Sequence, residues 1–172
     1  MTETSAACVP PTLHVNPVLF CDRRPSVLSP VGSNRDIKPE NCLLDGTGSL
    51  KLADFGAAVH APSPHHIRTT RCGTPEYLAP EVVKGKGYGH AVDVWACGVL
   101  MHELTVGCTP FKDADPDRVY ANIAGFTGLH HLPARRLSAE AVQLMTSLLA
   151  TDPKQRPSPD AAAAHPWFGT SC

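Results

Sequence analysis

No stretch of this sequence stays apolar long enough to cross a bilayer. The longest run, Trp95 to Met101, falls far short of the roughly 20 residues a spanning helix needs. The opening Met1-Thr2-Glu3-Thr4-Ser5 has neither the cationic stretch nor the apolar core of a secretory signal. Charge is scarce, at 18% of residues, and balanced: 15 Lys and Arg against 16 Asp and Glu give a net charge of -1. A global basic field for nucleic acid or an anionic membrane is therefore absent. The seven cysteines (Cys8, Cys21, Cys42, Cys72, Cys97, Cys108 and Cys172) are odd in number and include no Cys-x-x-Cys pair. That argues against a disulfide framework and a zinc site, and fits a reducing compartment. The expectation is an intracellular protein, cytoplasmic or nuclear, with no nucleic-acid or membrane partner. What is present is 172 residues, 42% of them hydrophobic, enough for one domain with a real core.

The chain changes texture once. Residues 1–33 carry Pro10, Pro11, Pro17, Pro25 and Pro30 and show no sustained periodicity, which predicts an irregular segment. Beyond it, Cys42-Leu43-Leu44 and Leu50-Lys51-Leu52 are short apolar runs joined by Asp45-Gly46-Thr47-Gly48, a hairpin signal. Residues 57–78 read as loop, punctuated by Pro62, Pro64 and Pro75. Helices then dominate. Val92, Trp95, Val99 and Leu100 recur at helical spacing, with Ala96, Met101 and Leu104 on the other sides, so this helix is buried nearly all round. A shorter amphipathic helix is expected over 115–124. Ser138 should cap a helix that shows Val142, Met145, Leu148 and Leu149. Ser158-Pro159-Asp160 opens a last helix that stops at His165-Pro166. Gly46 with Gly48, and Gly85 with Gly87, read as turns. The pairs His65-His66 and His130-His131 have no cysteine or carboxylate cluster beside them, so they read as solvated loops rather than metal ligands.

Three blocks stand in order between Asn34 and Glu81: Asn34-Arg35-Asp36-Ile37-Lys38-Pro39-Glu40-Asn41, Asp54-Phe55-Gly56 and Ala79-Pro80-Glu81. Asp93-Val94-Trp95 follows, then Arg156 ahead of His165-Pro166-Trp167-Phe168. In this arrangement the chain resembles the eukaryotic protein kinases, whose catalytic loop, Asp-Phe-Gly and Ala-Pro-Glu elements share the order and spacing. The resemblance covers residues 34–168 and implies the C-terminal lobe of that fold, mainly α-helical with a small β-hairpin near the catalytic loop. Residues 1–33 would lie outside the kinase domain, and 169–172 would form a tail.

The resemblance also implies chemistry. Phosphoryl transfer spreads negative charge over the transferred group, so catalysis is mainly positioning and cation stabilisation. Asp36 matches the base that orients the acceptor hydroxyl, and Lys38 matches a lysine that serine/threonine kinases place near the transferred phosphate. Asn41 and Asp54 match the magnesium ligands that hold ATP, and both offer the hard oxygen donors magnesium prefers. The segments Asp54 to Ser63 and Arg68 to Thr74 resemble Aurora kinases, whereas Pro75 to Glu81 is closer to the AGC group. Thr70 aligns with an activating phosphothreonine. Arg35 is its expected partner, since a phosphate can order a loop by pairing with arginine. Thr74 falls on the substrate side of the same loop. Glu81 and Arg156 match an ion pair that clamps the activation segment, and Asp93 a helix residue that anchors the catalytic loop. Glu40 and Glu103 match acids that hold an arginine two residues before the target Ser/Thr. A local reading also remains for both, with Glu40 serving nearby backbone and Glu103 ending its helix in solvent.

Other family parts are not found. No Gly-rich loop, strand lysine or paired helix glutamate precedes Asn34. Asn34 itself stands where the family has histidine or tyrosine, a ring that packs on the phenylalanine matched by Phe55. Two functions are therefore expected. One is an ATP-dependent serine/threonine kinase lobe that needs a small lobe or activating partner to act. The other is a non-catalytic kinase-like module that binds partners.

Overall fold

A two-residue strand comes first among the described residues. The structure, a computed structural model, describes residues 32–60, 67–70, 72–130, 132 and 137–169. Strand β1 (Gly32–Ser33) pairs antiparallel with β4 (Val59–His60), in the register Gly32↔His60 and Ser33↔Val59. Regular structure is thus already present two residues ahead of Asn34, within the stretch 1–33 that reads as irregular. Neither strand has a pattern of its own; each exists because the other completes its ladder. The irregular reading of residues 1–31 and the histidines His65, His66 and His131 lie outside the described residues, as does Arg71.

Strands β2 (Cys42–Leu44) and β3 (Leu50–Leu52) form the expected hairpin, with Cys42 opposite Leu52 and Leu44 opposite Leu50. Its turn is built by Asp45. One carboxylate oxygen accepts the N–H groups of Thr47 at 2.9 Å and Ser49 at 3.0 Å, and Gly48 supplies the positive φ of 80°. Asn41 ends a short 3-10 turn (Pro39–Asn41) that runs straight into β2.

A 3-10 turn (Pro75–Tyr77) interrupts the stretch 57–78 that reads as loop, and helix α1 (Pro80–Val83) follows just beyond it. Both are a single turn, too short to show a period. Helix α2 (Ala91–Val106) is the axis of the body. Trp95, Val99 and Met101 are fully buried along it. Trp95 stacks on Phe111 at 5.7 Å, and Phe126 meets both rings edge-on at 5.5 and 5.2 Å. The helix stops at Gly107, whose φ of 91° suits glycine at a helix C-terminus.

Helices α3 (Pro116–Ala124), α4 (Ala139–Leu148) and α5 (Pro159–Ala163) complete the body. Each starts as its sequence suggests: Asp115, Ser138 and Ser158 cap them by accepting from Asp117, Ala141 and Ala161 N–H groups. Helix α4 packs on α2, while α3 packs on α1 and on the turn at Pro75–Tyr77. The result is a mainly helical body with its small sheets at one end. Among the described residues no helix is long and apolar enough to cross a membrane, and Cys42, Cys72 and Cys97 carry free thiols.

Candidate active site

The catalytic loop is anchored from below by Asp93, in the first turn of α2 and 1% exposed. Its two carboxylate oxygens accept the N–H groups of Asn34 and Arg35, both at 2.9 Å. Burial pushes the Asp93 carboxyl above its ordinary value, and the N–H groups of Arg35 and Asn34 pull it back only in part. A carboxylate on an apolar helix has to be partnered in this way. The corner it holds is unusual, because Arg35 has a φ of 69°, a left-handed conformation that costs a non-glycine residue about 1–2 kcal/mol.

Asp36 projects from this corner into a ring of donors. One carboxylate oxygen accepts from the Thr74 N–H at 3.2 Å and the Thr74 hydroxyl at 2.9 Å. The other meets the Lys38 ammonium at 2.9 Å and the Asn41 amide at 3.1 Å. Lys38 also donates to the Thr74 hydroxyl at 2.9 Å, so one cation bridges the loop and the activation segment. Partial burial alone would push the Asp36 carboxyl up. Lys38, Thr74 and Asn41 outweigh it and hold the group below its ordinary value. The carboxylate is ionised, aimed and half-buried.

Asn41 spends its amide N–H group on Asp36, on the main-chain oxygen at 2.8 Å as well as the side chain. That leaves its amide oxygen as the end able to meet a cation. The hairpin brings Asp54 alongside: the Ala53 N–H donates to the Asn41 carbonyl at 2.7 Å, one residue from Asp54. Asp54 has a φ of 53°, is exposed, and accepts the Gly56 N–H at 2.9 Å. Phe55 beside it is 60% exposed. Among the described residues no three His, Cys, Asp or Glu side chains gather as a metal site. An amide oxygen plus one carboxylate fits magnesium shared with phosphates, which takes few protein ligands, and does not fit a cage that holds the ion alone.

The activation segment is tied to the same corner. The Arg35 guanidinium donates to the Ala57 carbonyl at 2.7 Å and to the Tyr88 hydroxyl at 3.3 Å, and that hydroxyl donates to the Thr70 carbonyl. Arg68 and Tyr88 exchange a pair of backbone hydrogen bonds, both at 3.0 Å. Arg35 thus reaches exposed Thr70 through one intermediary. Tyr77 contacts one of the two candidate substrate acids. Its hydroxyl donates to Glu103; burial first, then the charges of Glu103 and Glu40, drive its pKa upward. Glu40 is exposed and Glu103 half-buried. Further back, Glu81 and Arg156 form a two-pronged ion pair at 2.7 and 2.8 Å.

Of the residues singled out from sequence, hydrogen bonds bring together Asp36, Lys38, Asn41 and Thr74, join Asp93 to Arg35 and join Glu81 to Arg156. The two tyrosines were missed. Tyr88 sits between Gly87 and Gly89, and Tyr77 inside Pro75-Glu76-Tyr77; the available signal was that a buried phenol needs a hydroxyl partner.

The site thus gathers an ionised Asp36 carboxylate, the bridging Lys38 and the oxygens of Asn41 and Asp54. The protein kinase domain family matches residues 33–168, and the chain belongs to the eukaryotic protein kinases. It is 43% identical over 135 residues to an Aurora kinase of Dictyostelium discoideum, covering 78% of this chain and 34% of that protein. It is 39% identical over 154 residues to an SNF1-related protein kinase catalytic subunit of Arabidopsis thaliana, covering 90% and 29%. A CBL-interacting serine/threonine-protein kinase of the same plant is 43% identical over 142 residues, covering 79% and 31%. The chain spans about a third of the length of these relatives.

Proposed function

We propose that this chain carries the acceptor-handling side of an Aurora/AGC-like serine/threonine protein kinase, transferring phosphate from ATP to protein hydroxyls inside the cell. The observation that carries the reading is the Asp36 ring: Lys38, Thr74 and Asn41 hold one carboxylate ionised and aimed. Asp36 would accept the proton of a substrate Ser or Thr hydroxyl as that oxygen attacks. Lys38 sits where it can neutralise charge on the group in transit. Asn41 and Asp54 would hold magnesium against the nucleotide, which supplies the phosphoryl group. Thr70 would be the regulatory site and Arg35 the partner of its phosphate, a reading supported by the Tyr88 hydroxyl that connects the Arg35 guanidinium with the Thr70 main-chain carbonyl. Glu40 and Glu103 would take an arginine two residues before the target. The chain offers no Gly-rich cradle for the phosphates, so transfer requires a nucleotide-binding lobe or an activating partner.

One observation favours the second reading, a non-catalytic binding module: Asp54 bonds its own Gly56 while Phe55 lies exposed. Fusion to a working kinase small lobe separates the two. A fusion that transfers phosphate to a Ser/Thr peptide at about 1 s⁻¹ or faster, and loses at least about 100-fold on Asp36→Asn while still binding nucleotide, supports the enzyme. Asp54→Asn should in addition weaken magnesium-nucleotide binding. A fusion that binds nucleotide but transfers no faster than its Asp36→Asn variant leaves the binding module.

A further inference from the structure

We propose that Asn34 is a positioning residue for Asp36: by accepting the Asp36 backbone N–H, its side-chain oxygen sets the direction in which that carboxylate leaves the main chain. The inference rests on the reading of Asp36 as the base.

Three successive N–H groups, those of Asn34, Arg35 and Asp36, each end on a side-chain oxygen. Asp93 takes the first two at 2.9 Å. The Asn34 amide oxygen takes the third at 3.1 Å, closing a turn across Arg35 of the kind that Asn side chains form two residues on. Without that third bond, no main-chain N–H beyond the left-handed Arg35 at φ 69° would be tied to this turn, and the direction of Asp36 would rest on the Asn41 amide and the donors on its carboxylate. The other end of the same amide argues that packing is not its purpose. Asn34 is 5% exposed, and its buried amide nitrogen has no hydrogen-bond partner among the described residues, an arrangement that costs stability. Leucine, close in size, would remove that cost and bury more apolar surface. The amide is accounted for by what its oxygen does. From Asp36 the effect runs outward, because the same residue accepts the Thr74 N–H at 3.2 Å.

Amide hydrogen exchange by NMR on the whole chain, without nucleotide, tests this. Asn34→Leu should melt at the same temperature as the parent or higher. Its Asp36 and Thr74 amides should nonetheless exchange about tenfold faster or more. Asn34→Ser, whose hydroxyl can close the same turn more weakly, should restore most of the protection at both. Unchanged Thr74 exchange in Asn34→Leu overturns the proposal, and so does faster exchange confined to Asp36, which would make Asn34 a local turn residue only. If the leucine variant does not fold, Asn34→Ala is read by the same two amides. Because exchange is measured without turnover, its failure removes the positioning role and leaves the assignment of Asp36 as base to the transfer assay.

Discussion

A guanidinium shut away from water must find an acceptor for the N–H groups it turns inward. The Arg156 side chain is 0% exposed and meets this demand with both Glu81 oxygens and the carbonyls of Ala150 and Ala91, at 2.7 to 2.9 Å. It also lies 5.1 Å from the Trp95 ring centre. Removing one partner of such a pair strands the other charge, so Glu81→Gln should destabilise by about 3–5 kcal/mol. Arg156→Lys should recover little, since an ammonium lacks the planar fork that spans two carboxylate oxygens. Urea unfolding at constant m value measures both; a loss below about 1 kcal/mol for Glu81→Gln would mean the pair is not buried. His102 makes a pH prediction at the same scale. It is 7% exposed, and its Nδ1 lies 2.7 Å from the Cys108 carbonyl. Burial pushes its pKa below the ordinary 6.5 despite that contact. The folded state then binds protons less readily than the unfolded one, so this contribution is complete above about pH 6.5 and is lost as pH falls through the depressed folded value. The melting temperature should drop between pH 6.5 and 5.5, and His102→Gln should flatten that drop. An identical pH slope in the variant would refute the assignment.

Helix α2 meets α4 at a point where there is no room for a side chain. A methyl group on Gly98 would stand 2.8 Å from the Leu149 Cγ and 3.0 Å from the Leu148 Cβ, and both leucines are buried. Alanine would gain about 1 kcal/mol in helix propensity but overpack the contact at a typical cost of about 1–3 kcal/mol. The balance favours net destabilisation of Gly98→Ala, visible in thermal or urea unfolding; a stabilised variant would show that the helices can separate freely. The sequence disclosed α2 but not this approach. Its helix was legible because apolar residues repeat along it, and the Asp45 turn and the caps Ser138 and Ser158 because each is built within a few residues. Asp93 stood out as a charge on an apolar helix, which has to be answered somewhere. The β1–β4 pair was hidden because each strand takes its order from the other, far along the chain. Single turns such as Pro80–Val83 carry no period to read. The hydroxyl partners of Tyr77 and Tyr88 were hidden for the same reason as the strands: tertiary contact alone chooses them. For the site, it was the family resemblance that pointed to Asp36, Lys38, Asn41 and Asp54, and only the fold gave the Thr74 hydroxyl its place between Asp36 and Lys38.

At the scale of the molecule, the proposed function would divide the labour of transfer unevenly among the described residues. Asp36, Lys38, Thr74, Glu40 and Glu103 would serve the acceptor; Asn41 and Asp54 would serve the donor. An amide oxygen and one carboxylate bind magnesium weakly without phosphates, so magnesium alone should not raise the melting temperature of this chain. The acidic group is different, since it needs no nucleotide to be complete. Tyr77 gives its hydroxyl to Glu103, and the charge of Glu40 adds a smaller part to the upward push on its pKa. A guanidinium can donate to both acids at once, which an ammonium does less well. A peptide with arginine two residues before serine should therefore bind the chain without ATP. It should bind more tightly than its lysine counterpart and lose affinity as salt rises. Glu40→Gln and Glu103→Gln should each weaken the arginine peptide by about five- to tenfold, as expected for removing a charged hydrogen-bond partner worth roughly 1–1.5 kcal/mol. Tyr77→Phe should act less, because it removes a partner of Glu103 but neither charge. Fluorescence anisotropy with the two peptides decides the matter: equal affinity for arginine and lysine, or no effect of either glutamine variant, would mean that Glu40 and Glu103 serve the fold and not a substrate.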